Sequence, residues 1–184
     1  MLEVVEREEL PVQQARAGEP EAWSVLFRRY QLPLYVYVYE LVREEQTSLD
    51  IVQETFIAAT RHIGSLREDG KFGGWLFGIA HQKCAQHWRR QSRAEMLREE
   101  IGESAIELGE GPEEWLIRKE QEEEFMSVLN QLPMAQRSVL LLHFIEEFSL
   151  EQIAEISATP LGTVKSRLHY AKRALRKILE ERQP

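Results

Sequence analysis

The chain has 184 residues, 43% hydrophobic and 29% charged, which suits one globular domain or two small ones and excludes a disordered polyelectrolyte. It contains no apolar run of about eighteen residues, which excludes a transmembrane helix and membrane insertion, and its single cysteine, Cys84, excludes an internal disulfide or a multi-cysteine zinc site. The 23 Lys and Arg against 31 Asp and Glu leave a net charge of −8, which on average disfavours a polyanionic partner.

The average hides two cationic blocks. Residues 71–93 hold Lys71, Lys83, Arg89, Arg90 and Arg93 and no acid. Residues 158–179 hold Lys165, Arg167, Lys172, Arg173, Arg176 and Lys177, again with no acid. The stretch 95–124 between them is rich in glutamate. Charge segregated in this way allows nucleic acid to be met locally by a chain that is acidic overall. The start, Met1 to Leu10, is acidic and lacks both a basic segment and a long apolar one. No secretory signal is read there, and a cytoplasmic location is expected.

In chain order, Trp23, Leu26, Phe27, Tyr30, Leu34 and Leu41 recur at helical spacing on one face. The tract from Tyr35 to Tyr39 has strand-like composition, but its flanks keep the helical period, so a helix is expected through it. After a break near Gln46-Thr47-Ser48, the residues Val52, Phe56, Ala59 and Ile63 predict a second helix, with Asp50 in its first turn, where the helix dipole favours a carboxylate. A glycine-punctuated flexible loop is expected from Gly64 to Gly74. Trp75, Leu76, Ile79, Ala80 and Cys84 then form a third stripe, with Trp88 at its end. Residues 91–120 lose this order and read as a linker punctuated by Gly102, Gly109, Gly111 and Pro112. A further block starts near Glu120. Phe125, Val128, Leu129 and Leu132 form a stripe that Pro133 stops, and Val139, Leu140, Leu142 and Phe144 mark an apolar helix.

The strongest local pattern is Ser149 to Leu179. Ser149 with Gln152 is a capping box, in which the hydroxyl and the side-chain amide each satisfy a free backbone group. A short helix from Leu150 to Ile156 and a tight Ser157-Ala158-Thr159 connection follow. Thr159 and Pro160 then suit the N-cap and first position of a longer helix burying Val164, Leu168, Ala171, Leu175 and Ile178. Its other faces display Thr163, Lys165, Ser166, Arg167, His169, Tyr170, Lys172, Arg173 and Arg176. This is a helix-turn-helix with a basic second helix, sized for the major groove. Lys165 and Arg167 can donate to guanine O6 and N7, Ser166 to several bases or a phosphate, and cations further along to phosphate. The competing reading is a solvated basic face on a bundle helix.

The stretches Ile153-Ala154-Glu155-Ile156 and Thr159 to Leu168, together with Leu132-Pro133 and Gln136-Arg137 upstream, resemble the fourth conserved region of extracytoplasmic-function sigma factors, which are bacterial RNA polymerase initiation subunits. Asp50 to Phe56 resembles that family's second region. Phe72, Trp75-Leu76, Ile79-Ala80 and Arg89-Arg90 resemble its promoter-melting part. The two motif sets stand in the right order and cover residues 15–90 and 122–179.

The resemblance implies an all-α chain of two small helical domains, 1–94 and 120–184, on an acidic linker, 95–119. The first domain would bind the clamp of core RNA polymerase through Asp50, Gln53 and Glu54, residues that without the resemblance read as an exposed polar helix face. It would also read the minus-10 element and hold an unstacked base of promoter DNA through Lys71, Phe72, Lys83, His87, Arg89 and Arg90. The second domain would dock on the polymerase flap and read the minus-35 element through Thr163, Lys165, Ser166, Arg167, His169, Tyr170, Lys172 and Arg173. An anti-sigma factor covering the same surfaces is a further partner the resemblance admits. The linker would run through the polymerase toward the RNA exit path; read from its residues alone it is equally a solvated spacer.

An extruded base needs apolar walls and nearby cations. Phe72 and Trp75 could supply the walls or could seal the domain core, and Trp75 is expected in the core. The chain departs from the family at Gly73, Gly78 and His81, where arginine is common, and at Tyr170, where a base is common. Gly78 also weakens its helix by up to about 1 kcal/mol relative to alanine.

No Walker-type loop and no nucleophile elbow occurs, so neither an enzyme nor a cofactor is expected. His81, Cys84 and His87 share a helix face but lack a carboxylate partner or a second cysteine, and no metal is expected. Two other classes are a stand-alone helix-turn-helix regulator and a helical adaptor without DNA contact. Residues 50–56 and 72–90 oppose the first, and the acid-free second helix opposes the other.

Overall fold

The computed structural model describes residues 10–101, 129, 131–144 and 146–181. Among them there is no strand. The helices are α1 (Val12–Arg16), α2 (Pro20–Val42), α3 (Glu45–His62), α4 (Phe72–Ile101), α5 (Met134–Phe144), α6 (Leu150–Ile156) and α7 (Leu161–Glu181). The chain divides into two compact units, Met1–Cys84 with Glu155–Ala158 and Ala85–Ala154 with Thr159–Pro184, so the first cut falls within α4. Helix α4 runs on to Ile101, so the start of the expected linker is helical. The rest of that linker, and the stripe expected at Phe125 and Val128, lie outside the described residues.

In the first unit Pro20 opens α2 with its preset φ. Leu26, Leu34, Tyr37, Val38 and Leu41 are buried on its inner face, and the Tyr35–Tyr39 tract is helical as expected. Phe27, expected on that face, is 43% exposed and lies against Phe56, ring centroids 4.8 Å apart.

The break before α3 falls earlier than expected. Arg43 takes a left-handed φ of 62° and donates its N–H to the Tyr39 carbonyl at 2.8 Å, ending α2. Its guanidinium pairs with the buried Glu40 carboxylate. Glu44 then caps α3, accepting from the backbone N–H of Gln46 at 3.0 Å and of Thr47 at 2.9 Å. Gln46 and Thr47 therefore start the helix rather than interrupt it. Asp50 lies one turn deeper than expected, beyond most of the helix-end charge, and accepts from Gln46 Nε2 at 3.1 Å.

The expected loop is shorter and better ordered than its glycines suggest. Ile63–Ser65 and Asp69–Lys71 are 3-10 turns, and α4 begins at Phe72. Ile63 and Leu66 are buried. Arg16 of α1 donates to the Leu66 carbonyl at 3.0 Å and to Asp69 Oδ1 at 2.8 Å, which pins the loop from outside.

In the second unit Val139, Leu140, Leu141 and Leu142 are buried on α5, which packs against α7. Val164, Leu168 and Ala171 form the buried stripe of α7, with Leu175 half-buried below them. Phe144 departs from expectation: it is 56% exposed at the end of α5, and the Lys172 ammonium lies over its ring, 5.0 Å from the centroid.

Candidate nucleic-acid interface

Helices α6 and α7 form the helix-turn-helix, and their local hydrogen bonds explain it. The Ser149 N–H donates to Gln152 Oε1 at 2.9 Å, and the Gln152 N–H donates to Ser149 Oγ at 3.2 Å, the reciprocal capping box. Helix α6 ends with the Ala158 N–H on the Glu155 carbonyl at 3.2 Å and the Thr159 N–H on the Ala154 carbonyl at 3.0 Å. Ala158 reverses the chain with a φ of 47°. The Pro160 carbonyl then accepts from Thr163 at 2.8 Å and Val164 at 3.1 Å, starting α7.

With Val164, Leu168 and Ala171 turned inward, the periodicity of α7 turns the expected DNA-facing residues outward. Lys165, Ser166, His169, Tyr170, Lys172 and Arg173 are exposed, and Thr163 is half-buried. Ser166 Oγ donates to the Thr163 carbonyl at 2.9 Å. His169 and Tyr170 meet edge to face at 5.6 Å, with Tyr170 57% exposed. Arg167 differs from its neighbours: it is half-buried and donates from Nη1 to Thr159 Oγ1 at 3.3 Å, back across the turn.

The second group lies on α3 and α4. Asp50, Gln53 and Glu54 are exposed together on the outer face of α3, opposite the buried Ile51, Val52, Thr55 and Phe56. Lys83, His87 and Arg90 recur along one stripe of α4 at spacings of four and three. Arg89 and Arg90 are exposed, while Lys83 and His87 are half-buried. The His87 Nε2 atom is buried without a hydrogen-bond partner. Lys83 Nζ donates to Glu54 Oε2 at 2.7 Å, so a residue expected on DNA is paired with one expected on the polymerase. Lys71 is exposed and paired with Glu68 at 3.1 Å, a hydrogen bond that raises its pKa.

Phe72 requires a correction. Its side chain is fully buried, with ring centroids 5.5 Å from Tyr30, 5.8 Å from Trp75 and 6.4 Å from Trp23. Opening α4 at its first position makes Phe72 a core residue, with no face to offer a base. Trp75, expected in the core, keeps part of its surface exposed. Gly73 has a steric reason: a Cβ there would stand 3.0 Å from the Tyr30 hydroxyl, which leaves no easy room for the arginine common in the family.

His81, Cys84 and His87, close in sequence on α4, have different surroundings. His81 Nδ1 and the Tyr37 hydroxyl share a hydrogen bond at 2.8 Å. Cys84 is buried, and desolvation pushes its thiol up to about 12. Among the described residues no group of His, Cys, Asp and Glu is placed to hold a metal ion, and no helix is long and apolar enough to cross a membrane. The Arg16 clasp, the Glu54–Lys83 pair and the Arg167–Thr159 bond were not anticipated from sequence. Only the last had a local cue, in the closeness of the two positions.

Residues 26–94 match sigma-70 region 2 and residues 122–175 match sigma-70 region 4. The chain is 31% identical over 183 residues to the RNA polymerase sigma-H factor of Pseudomonas aeruginosa, covering 95% of each. It is 30% identical over 178 residues to the ECF RNA polymerase sigma factor SigW of Bacillus subtilis, covering 92% of this chain and 95% of that one. Two solved structures share the fold. CnrH, in complex with the cytosolic domain of CnrY, has a TM-score of 0.67 at 22% identity, over 95% of this chain and 98% of that one. RpoE from Bartonella quintana, in complex with the anti-sigma factor NepR, has a TM-score of 0.67 at 24% identity, over 86% of this chain and 98% of that one.

Proposed function

The chain belongs to the sigma-70 family of RNA polymerase sigma factors, in its extracytoplasmic-function branch, and we propose from that membership how its residues share out promoter recognition. As a sigma factor it binds core RNA polymerase and directs it to promoters, and bond formation belongs to the polymerase. The stand-alone regulator reading is not favoured, because residues 26–94 match region 2 as well.

Asp50, Gln53 and Glu54 meet the polymerase clamp from the outer face of α3. The α4 stripe of Lys83, His87 and Arg90, with Arg89 and Lys71, meets the minus-10 strand, mainly at phosphate. Trp75 rather than Phe72 offers an aromatic surface to an unstacked base. Helix α7 enters the major groove at the minus-35 element. Lys165, Ser166, His169 and Tyr170 lie near the base edges, and Lys172 and Arg173 near phosphate. Domains 1–94 and 120–184 do this work on either side of the 95–119 linker, in the cytoplasm. An anti-sigma factor would silence the chain by covering these surfaces, and the complex of RpoE with NepR in Bartonella quintana supports such a partner.

The observation that carries this reading is the capped helix-turn-helix, whose second helix turns outward a cationic face with no acid between Leu161 and Lys177. The test is transcription by purified core polymerase with and without the chain. A transcript that starts at one promoter position and requires both recognition elements is expected. Loss of dependence on the chain would refute the reading.

A further inference from the structure

The Glu54–Lys83 pair joins two surfaces that the proposed function gives to different macromolecules. Glu54 stands on α3, its side chain 61% exposed, where the polymerase is met. Lys83 stands on α4, where DNA is met, and only 24% of its side chain is exposed. The lysine stem lies along the protein and its ammonium ends at 2.7 Å from the carboxylate. One ammonium cannot serve a carboxylate and a DNA phosphate equally well. A carboxylate left beside that phosphate also repels it.

We propose that this ion pair is a latch coupling polymerase docking to DNA contact. In the free chain Glu54 neutralises Lys83 and withholds it from DNA. When a cationic group of the polymerase takes Glu54, Lys83 is released to phosphate. The proposal rests on the assignment of α3 to polymerase and α4 to DNA. Coupling of this kind is reciprocal, so DNA that takes Lys83 also frees Glu54 for the polymerase. The pair is partly exposed, which limits its strength and makes it sensitive to salt. The expected coupling is about two- to fivefold in affinity at low salt, shrinking as salt rises.

The test is a double-substitution cycle on the full-length free chain, with a fluorescent single-stranded DNA oligonucleotide as the probe. Glu54→Gln should tighten binding about two- to fivefold, and Lys83→Gln should weaken it. In the Lys83→Gln background, Glu54→Gln should give a clearly smaller gain, the part owed to simple repulsion of the phosphate. An equal gain in both backgrounds would mean general charge repulsion and would overturn the latch, as would no gain at all. A second measurement does not depend on DNA: the rate of Lys83 acylation, followed by mass spectrometry. It should rise in Glu54→Gln, and an unchanged rate overturns the proposal. Failure of the parent reading shows separately, as unsubstituted chain that directs no promoter-dependent transcript.

Discussion

Arg167 reaches back from the second helix of the helix-turn-helix and donates to the Thr159 hydroxyl at 3.3 Å, while Lys165, two residues earlier, extends into solvent. Two cations that look equivalent in sequence therefore have different work. Arg167 braces the turn, and Lys165 keeps an exposed side chain, which we propose reads a base.

Lys165→Ala should cost about 1–3 kcal/mol of promoter binding and relax discrimination at one minus-35 position. Thr159→Val should cost about 0.5–1.5 kcal/mol of stability through the lost hydrogen bond. Binding titrations across single-base promoter variants, with denaturant unfolding of each protein, separate the two effects. A uniform loss of Lys165→Ala binding across all variants would make that lysine a phosphate contact.

Ser149→Ala removes one half of the capping box and should destabilise the second unit by about 1 kcal/mol, while Ser149→Asp retains most of the cap. Chemical denaturation followed by far-ultraviolet circular dichroism checks the order of the three proteins.

Phe72→Ala should cost about 3–5 kcal/mol, as expected for a fully buried aromatic ring. Trp75→Ala should cost less stability and weaken promoter opening more, relative to Phe72→Leu. Thermal melts and permanganate reactivity of unpaired thymines at the minus-10 element distinguish them.

Cys84 carries a thiol raised from 9.0 to about 12 by burial. The unfolded chain ionises its thiol first, so folding is favoured fully below pH 9.0 and loses stability as pH climbs toward 12. The slope from this group is at most about 1.4 kcal/mol per pH unit. The native thiol should react with a disulfide reagent only as fast as the chain opens. Rapid stoichiometric labelling at neutral pH would contradict its burial.

Short-range features were legible in the sequence. The capping box, the turn at Ala158 and the stripe of Val164, Leu168 and Ala171 all involve positions a few residues apart, where spacing and side-chain type suffice. The outer face of α3 followed in the same way from the buried Val52, Phe56 and Ala59. What escaped depends on distance along the chain or on competition between neighbours. Nothing near Asp69 announces Arg16, and nothing near Lys83 announces Glu54. The start of α3 is hard to place because Glu44, an uncommon cap, does what Ser or Asp usually does. Phe72 is a core residue because α4 starts three residues earlier than its expected stripe at Trp75, which brings Phe72 into the helix and against Tyr30 and Trp23.

The hold of Arg16 on Leu66 and Asp69 matters for anyone who trims this protein. Arg16 stands upstream of the segment that matches sigma-70 region 2, which begins at residue 26. A fragment cut to that match would lose the strut between the short first helix and the loop ahead of α4. Weak melting activity in such a fragment would then report a missing anchor rather than a deficient region 2.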